Sequence, residues 1–119
     1  MPQEIIFKAK RIDTGEWVEG NFITNGYKSF ITWFHSVDFW EQLEVNPLTV
    51  CHSFEMEGKR YFEGDKGIAW AGFDIIIRYG YYENTYSGGY GWYAVKLKNN
   101  YNLPISKGLI KEITGNIHD

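Results

Sequence analysis

Cys51 and His52 stand side by side, and cysteine with histidine is the pair that thiol proteases use as nucleophile and base. Neighbouring residues of an extended chain point to opposite faces, so these two side chains cannot share a proton. A nucleophilic Cys51 would need His35 or His118 brought to it through space. Free cysteines are among the most buried residues, so we expect a buried, unreactive thiol.

His35 and Asp38 would lie on one face if residues 34–43 were helical, which would allow a hydrogen-bonded pair or half of a metal site. No second histidine or cysteine is in register with them, so a surface pair is the better interpretation. The chain also lacks a CxxC pair and a Cys/His quartet. The sequence therefore predicts no metal and no cofactor, and the single Cys51 favours a reducing cytosol.

Two other kinds of catalytic site find no support. Glycoside hydrolysis needs two carboxylates across a cleft, and none of the fifteen acidic residues is singled out as such a pair. Residues 86–91 (YSGGYG) are glycine-rich, but no lysine follows them and they lead into a strand, unlike a phosphate-binding loop. We therefore predict a protein that is not an enzyme.

Aromatic residues are the unusual feature, because eight Phe, nine Tyr and five Trp make up 18% of the chain. Exposed rings on a hairpin stack bases of single-stranded nucleic acid or anchor a protein partner, whereas buried ones are ordinary strand residues. Alternation assigns Tyr79, Tyr81 and Tyr93 to the core face. The partner-binding candidates that remain are Tyr82, Tyr86, Tyr90 and Trp92.

The charge balance favours a protein partner over nucleic acid. Twelve basic against fifteen acidic residues give a net charge of −3 and an isoelectric point near 5.6, the wrong sign for a dedicated duplex-DNA binder. Only Arg78, Lys96 and Lys98 lie near the aromatic segment to meet phosphates. We predict self-association or a protein partner, with single-stranded nucleic acid as the alternative.

Strand patterns position these residues. Apolar and polar residues alternate in 5–10, an extended pattern resumes at 17–18 and continues as a strand at 21–24, Asn25-Gly26 is a strong hairpin signal, and 27–34 returns as a strand. Between 34 and 43, apolar residues recur every three positions, which predicts at most a short helix. The clearest strand is 73–82, paired with 92–98 across a protruding loop at 83–91, and the last strand is 109–117.

The length suits one domain, and the sequence predicts an all-β barrel or two small fused barrels. The first residues lack the apolar run of a secretory signal, and no segment has the ~20 apolar residues of a membrane span. We expect an intracellular, soluble protein without a membrane partner.

Four segments together resemble the YopX family of small phage and prophage proteins. They are an opening hairpin (6–10 and 13–18), VNPLTV (45–50), GKRYFEGD (58–65) and EITGNIHD (112–119). The sequence departs from the family pattern at 51–59 and in the aromatic hairpin at 79–92.

The resemblance implies a single YopX-like domain over 1–119, all-β, with two fused barrel-like parts at roughly 1–50 and 51–119. It implies that the second part is similar to an SH3 barrel, and that the protein comes from a phage or prophage and resides in the bacterial cytoplasm. It implies no biochemical activity. The glycine, aspartate and asparagine of the EGD and GNI elements read as turn residues.

Overall fold

The computed structural model describes residues 6–36 and 39–119, and the side chains of these residues outside 33–40. Within this part the chain is all-β, as predicted, with one 3₁₀ turn at Pro47–Thr49. The strands are β1 (Phe7–Lys10), β2 (Trp17–Thr24), β3 (Ser29–Ser36), β4 (Phe39–Val45), β5 (Ser53–Met56), β6 (Lys59–Phe62), β7 (Asp65–Ala69), β8 (Asp74–Glu83), β9 (Gly88–Lys96), β10 (Tyr101–Pro104) and β11 (Ile110–Asn116).

The chain divides into two compact units, Met1–Glu55 and Met56–Asp119. The first contains a four-stranded antiparallel sheet in the order β1-β2-β3-β4, and the second a five-stranded antiparallel sheet in the order β10-β9-β8-β7-β11. Strands β5 and β6 form a two-stranded sheet.

In the first unit the Asn25-Gly26 hairpin forms as predicted between β2 and β3. The Asn25 side chain accepts hydrogen bonds from the amides of Tyr27 and Lys28, and Gly26 has a φ of +91°. The two edges of this sheet also meet, because the Ile12 amide donates to the Glu44 carbonyl and the Asn46 amide to the Lys10 carbonyl. The sheet therefore curls so that one end of β1 and one end of β4 come together.

The core of the first unit forms around Ala9, Ile31 and Val45, which are fully buried. Phe7, Val18, Phe22 and Val50 pack against them. The ends of the 3₁₀ turn are fixed by side chains: Asn46 accepts from the Leu48 amide, and the Thr49 hydroxyl accepts from the Lys10 amide.

The predicted short helix at 34–43 is wrong within the described residues. β3 continues to Ser36 and β4 begins at Phe39, with Ile31 opposite Leu43 and Ser29 opposite Val45. The three-residue spacing misleads because Leu43 and Val45 also have the two-residue period of a strand, and pairing with β3 settles the conformation. Asp38 lies outside the described residues, as does the side chain of His35, so the His35–Asp38 hypothesis stays a prediction.

In the second unit, buried apolar residues come from several strands of the sheet and from β6: Tyr61, Phe62, Ala69, Ile75, Ile77, Ala94 and Ile110. Gly67 of β7 faces β11 so closely that a Cβ on it would collide with the Glu112 carbonyl oxygen. The sheet has two register irregularities between β7 and β11, around Lys111 and Thr114.

Candidate functional site

The aromatic segment forms one long hairpin, β8–β9. Its ladder runs from Ile75 opposite Lys96 to Glu83 opposite Gly88, so only residues 84–87 connect the strands. The prediction of a protruding loop over 83–91 is therefore wrong. Asn84 closes this short connection by accepting hydrogen bonds from the amides of Tyr86 and Ser87, a role that asparagine performs in many turns.

The hairpin is bent at a pair of glycines that face each other across the ladder. Gly80 of β8 is opposite Gly91 of β9, and their φ angles are +144° and +152°, a region that residues with a Cβ rarely adopt. Nothing lies within 4 Å of the position where a Cβ would be on either glycine. The glycines are therefore needed for backbone conformation, since there is space for a side chain.

The bend brings the tip of the hairpin back to β10. The Asn84 side chain donates to the Asn102 carbonyl at 2.8 Å, and the Asn102 side chain donates to the Glu83 carbonyl at 3.1 Å. Asn102 is opposite Val95, seven residues along β9 from Gly88, a distance of ~23 Å in a straight strand. These two hydrogen bonds, which we call the asparagine clasp, therefore require the far half of the hairpin to curl over.

One side of the bent hairpin exposes four rings, which we call the outer aromatic face: Tyr79, Tyr81, Tyr90 and Trp92. Tyr79 is opposite Trp92, and Tyr81 is opposite Tyr90. The Tyr79 ring makes edge contacts with Trp92 at 5.2 Å and with Tyr90 at 5.7 Å between centroids. Tyr79, Tyr81 and Tyr90 are 40%, 66% and 74% exposed, and Trp92 is half-buried.

The inner side of the bend is closed by a different pair of rings. Tyr82 stacks on Tyr93 with 5.0 Å between centroids and 20° between ring planes, although their ladder partners are Gly89 and Arg78. The Tyr82 ring lies over Gly89, where a Cβ would be 3.8 Å from the ring, an ordinary contact distance. Tyr82 is therefore half-buried in a structural contact.

The structure separates the four candidates chosen from sequence. Tyr90 and Trp92 belong to the outer aromatic face, Tyr86 is 90% exposed in the 84–87 connection, and Tyr82 faces inward. Tyr79 and Tyr81, assigned to the core by alternation, are exposed, so that assignment is wrong. They do share a face with the buried Ile75 and Ile77, but β8 extends past the core.

The facing of β9 also differs from the prediction that Tyr93 belongs to the core, because the fully buried residue is its neighbour Ala94. A small alanine between two large residues gives a misleading hydrophobic pattern. The sequence signal that could have identified the bend is the pair Gly80 and Gly91, which lie equally far from the hairpin turn on the two strands.

An acidic residue, Glu83, contacts the outer aromatic face. The Tyr81 hydroxyl donates to the Glu83 carboxylate at 3.0 Å, and this hydrogen bond, with the negative charge of Glu83, raises the pKa of Tyr81. Arg78 is opposite Tyr93 on the inner side of the ladder, and the Lys96 ammonium lies 4.6 Å from the centre of the Phe73 ring at the other end of the hairpin.

The other chemical candidates have structural roles. Cys51 is buried and its thiol donates to the Thr49 carbonyl at 3.2 Å, while its backbone pairs with Lys8. Among residues 6–32 and 41–119, whose side chains the structure describes, no group of three or more His, Cys, Asp and Glu side chains could hold a metal ion.

The EGD and GNI elements contact each other in the second unit. The buried Asn116 side chain donates to the Asp65 carboxylate at 2.9 Å and to the Glu63 carbonyl at 3.1 Å. The other Asp65 oxygen accepts from the Phe62 amide. Gly64, with a φ of +85°, accepts from the Ile117 amide through its carbonyl. This hydrogen-bonded junction supports the interpretation of both elements as structural turns.

A comparison of the chain with protein-family models, curated proteins and solved structures gives no match. The YopX resemblance and the likeness of the second part to an SH3 barrel stay predictions. In the part of the chain that the structure describes, no helix is long and apolar enough to cross a lipid bilayer.

Proposed function

We propose that this protein is a non-catalytic interaction module that binds protein through the outer aromatic face, with a second copy of the chain as the first partner. The observation that carries the proposal is the group of exposed rings Tyr79, Tyr81 and Tyr90, in which the Tyr79 ring contacts those of Tyr90 and Trp92. Tyrosine and tryptophan are enriched at the centres of protein interfaces, where few residues supply most of the binding free energy.

The geometry supports a protein partner in two ways. An aromatic side chain that becomes fully buried removes ~150–250 Å² from water, and Tyr81 and Tyr90, at 66% and 74% exposure, keep most of that area available to a partner. The phenol hydroxyls of Tyr81 and Tyr90 also let the same surface remain hydrated when no partner is bound.

The family resemblance supports the origin and location that we infer. A YopX-like chain would be encoded by a phage or prophage and would act in the bacterial cytoplasm, and the single buried Cys51 is compatible with reducing conditions. We infer that the module serves its phage or host process by binding, without forming or breaking covalent bonds.

Single-stranded nucleic acid is the second candidate for the outer aromatic face, because exposed tyrosines can stack bases. Phosphates would then need basic residues beside the rings. The Tyr81 hydroxyl instead has the Glu83 carboxylate as its hydrogen-bond acceptor, while Arg78 belongs to the inner side. The local charge therefore favours the protein partner.

Self-association is tested by sedimentation of wild-type protein and of the double variant Tyr81→Ser/Tyr90→Ser. We expect the wild type to associate as its concentration rises and the variant to stay monomeric, with an unchanged circular dichroism spectrum. Tyr27→Ser is the matched control, because Tyr27 is 97% exposed in the β2–β3 turn of the other unit. A wild type that is monomeric at all concentrations would exclude a second copy as the partner.

In that event, affinity purification from infected or lysogen-bearing cells with the same three proteins tests a different protein partner. We expect one protein retained by the wild type and by Tyr27→Ser but lost from the double variant. Titration of labelled single-stranded DNA and RNA at low salt tests the second candidate, and binding that the double variant abolishes would replace the protein-binding proposal.

A further inference from the structure

A groove separate from the hairpin rings lies between β6 and β11 in the second unit. Its volume is about 380 Å³. Binding sites for small molecules commonly measure ~300–1,000 Å³, so the groove has the size of a site for a small ligand. Its lining residues are Lys59, Arg60, Tyr61, Lys111, Glu112 and Ile113.

The groove concentrates positive charge in a chain that is acidic as a whole. Three of its six lining residues are cationic and one is acidic, whereas the entire chain has a net charge of −3. Among the described residues, Lys59, Lys111 and Glu112 have no ion-pair partner. Two lysines and an arginine around one groove favour a ligand with phosphate groups.

An exposed indole lies next to this cationic group. Trp70 follows β7, its side chain is 65% exposed, and the Lys111 ammonium is 5.6 Å from the centre of its ring. The Trp70 amide donates to the Leu109 carbonyl at 3.0 Å, which fixes the backbone beside β11. A base can stack on an exposed indole, and a neighbouring lysine can meet the phosphate of the same ligand.

The lining acid adds a third kind of contact. A carboxylate beside bound phosphate would oppose an anion, but it accepts hydrogen bonds from ribose hydroxyls, as acidic residues do in many nucleotide sites. Glu112 follows Lys111 in β11 and both line the groove, at a register irregularity with β7 that interrupts the strict alternation of side chains. The three side-chain chemistries in and beside the groove thus correspond to the phosphate, ribose and base of one ligand.

We propose that this groove binds a nucleoside phosphate. Lys59, Arg60 and Lys111 meet the phosphates, Glu112 accepts from the ribose, and the base stacks on Trp70. The proposal goes beyond the protein-binding function and uses none of the rings of the outer aromatic face.

Calorimetric titrations with ADP, pyrophosphate and adenosine separate the three parts of the ligand. We expect ADP to bind about tenfold more tightly than pyrophosphate, because stacking adds to the phosphate contacts, and adenosine to bind most weakly. No detectable ADP binding at low salt would overturn the proposal. Equal affinities for ADP and pyrophosphate would overturn its nucleoside part and leave an anion site.

Variants assign the contacts. Lys59→Gln should weaken ADP and pyrophosphate alike, and Trp70→Leu should reduce the affinity for ADP to that for pyrophosphate. Lys107→Gln is the matched control, since Lys107 is an exposed lysine of the same unit outside the groove. An ADP affinity that neither Lys59→Gln nor Trp70→Leu changes, with both variants folded by circular dichroism, would show that this groove is not the site.

Two further binding measurements are needed. One distinguishes a free nucleotide from a nucleic-acid strand as the ligand, and the other separates this proposal from the protein-binding proposal. A short single-stranded oligonucleotide that binds more tightly than ADP and is lost in Trp70→Leu would identify the nucleoside phosphate as part of a strand; weaker binding than ADP would identify a free nucleotide. Tyr81→Ser/Tyr90→Ser should retain full ADP affinity. Its loss there would contradict a separate site.

Discussion

Thr32 is a buried residue of β3 whose hydroxyl has no hydrogen-bond partner among the described residues. A buried hydroxyl that gives up hydration without a new partner costs roughly 1–3 kcal/mol. Its neighbour on the ladder is Asn21 of β2. An apolar residue of the same shape at position 32 would therefore give the protein a higher free energy of unfolding.

We expect Thr32→Val to raise the free energy of unfolding by about 1 kcal/mol, because the methyl group replaces the hydroxyl at nearly the same volume. Urea denaturation followed by circular dichroism measures the change. Thr85→Val, at an exposed position of the 84–87 connection, is the control. A lower stability of Thr32→Val would mean that the hydroxyl has a partner in solution.

Asn116 is also buried, but, unlike the Thr32 hydroxyl, its side-chain amide is hydrogen-bonded through both its oxygen and its nitrogen. Its oxygen accepts from the His118 amide, and its nitrogen donates to Asp65 and to the Glu63 carbonyl. Asn116→Ala should lower the free energy of unfolding by about 2–3 kcal/mol, because a buried carboxylate oxygen of Asp65 loses its donor.

The same urea titration measures this loss, with Asn21→Ala as the control at an exposed strand position. An effect of Asn116→Ala no larger than that of the control would contradict a structural role for the GNI element. A large effect would agree with the interpretation of GNI and EGD as a matched pair of turns.

At the scale of the strand, the bend of β8–β9 depends on glycine. Gly91→Ala should destabilise the protein by about 1–2 kcal/mol, because alanine resists a φ of +152°. It should also break the asparagine clasp, which nuclear magnetic resonance would detect as loss of the protected side-chain amides of Asn84 and Asn102.

Gly89→Ala is the matched control within the same strand. Gly89 does not have a positive φ, and a Cβ there would make ordinary contact with the Tyr82 ring at 3.8 Å. We expect this variant to change stability by less than about 0.5 kcal/mol. Equal effects of the two substitutions would contradict a bend that depends on Gly91.

The strands themselves were predictable where the local signal was strong. Alternation identified β8, and Asn25-Gly26 identified the β2–β3 turn, because both depend on neighbouring residues alone. The strand conformation of 34–43 was not predictable, because pairing with β3 overrides a weak three-residue spacing of apolar residues. The extent of β8–β9 was missed because glycines at 88, 89 and 91 were interpreted as loop residues.

The candidate site was predictable in part for a similar reason. Local pattern shows which rings share a face of a strand, but only the tertiary fold shows where the core ends, and β8 extends beyond it at Tyr79. The groove beside Lys111 could not be predicted, because Lys59 and Lys111 are fifty-two positions apart and come together through β6 and β11.

At the scale of the whole molecule, Cys51 offers a single internal reporter. It is fully buried and its backbone pairs with Lys8, so its thiol becomes accessible only when the first unit opens. We expect a thiol reagent to modify Cys51 about a hundredfold or more slowly in native protein than in urea-unfolded protein. Comparable rates would contradict the burial of this residue.

Charge is distributed unequally over the molecule. Residues 1–55 contain four basic and eight acidic side chains, whereas residues 56–119 contain eight basic and seven acidic ones. The near-neutral second unit holds both the outer aromatic face and the Lys111 groove. Acidic ligands would therefore be repelled less there than the net charge of the chain suggests.

The asparagine clasp fastens the hairpin at its far end, as the sheet fastens it at its base. Because it is held at both ends, the β8–β9 hairpin does not move freely in solution. The conformational entropy that mobile rings would lose on binding has thus already been lost during folding. The outer aromatic face is therefore preorganised, and a partner must have a complementary surface.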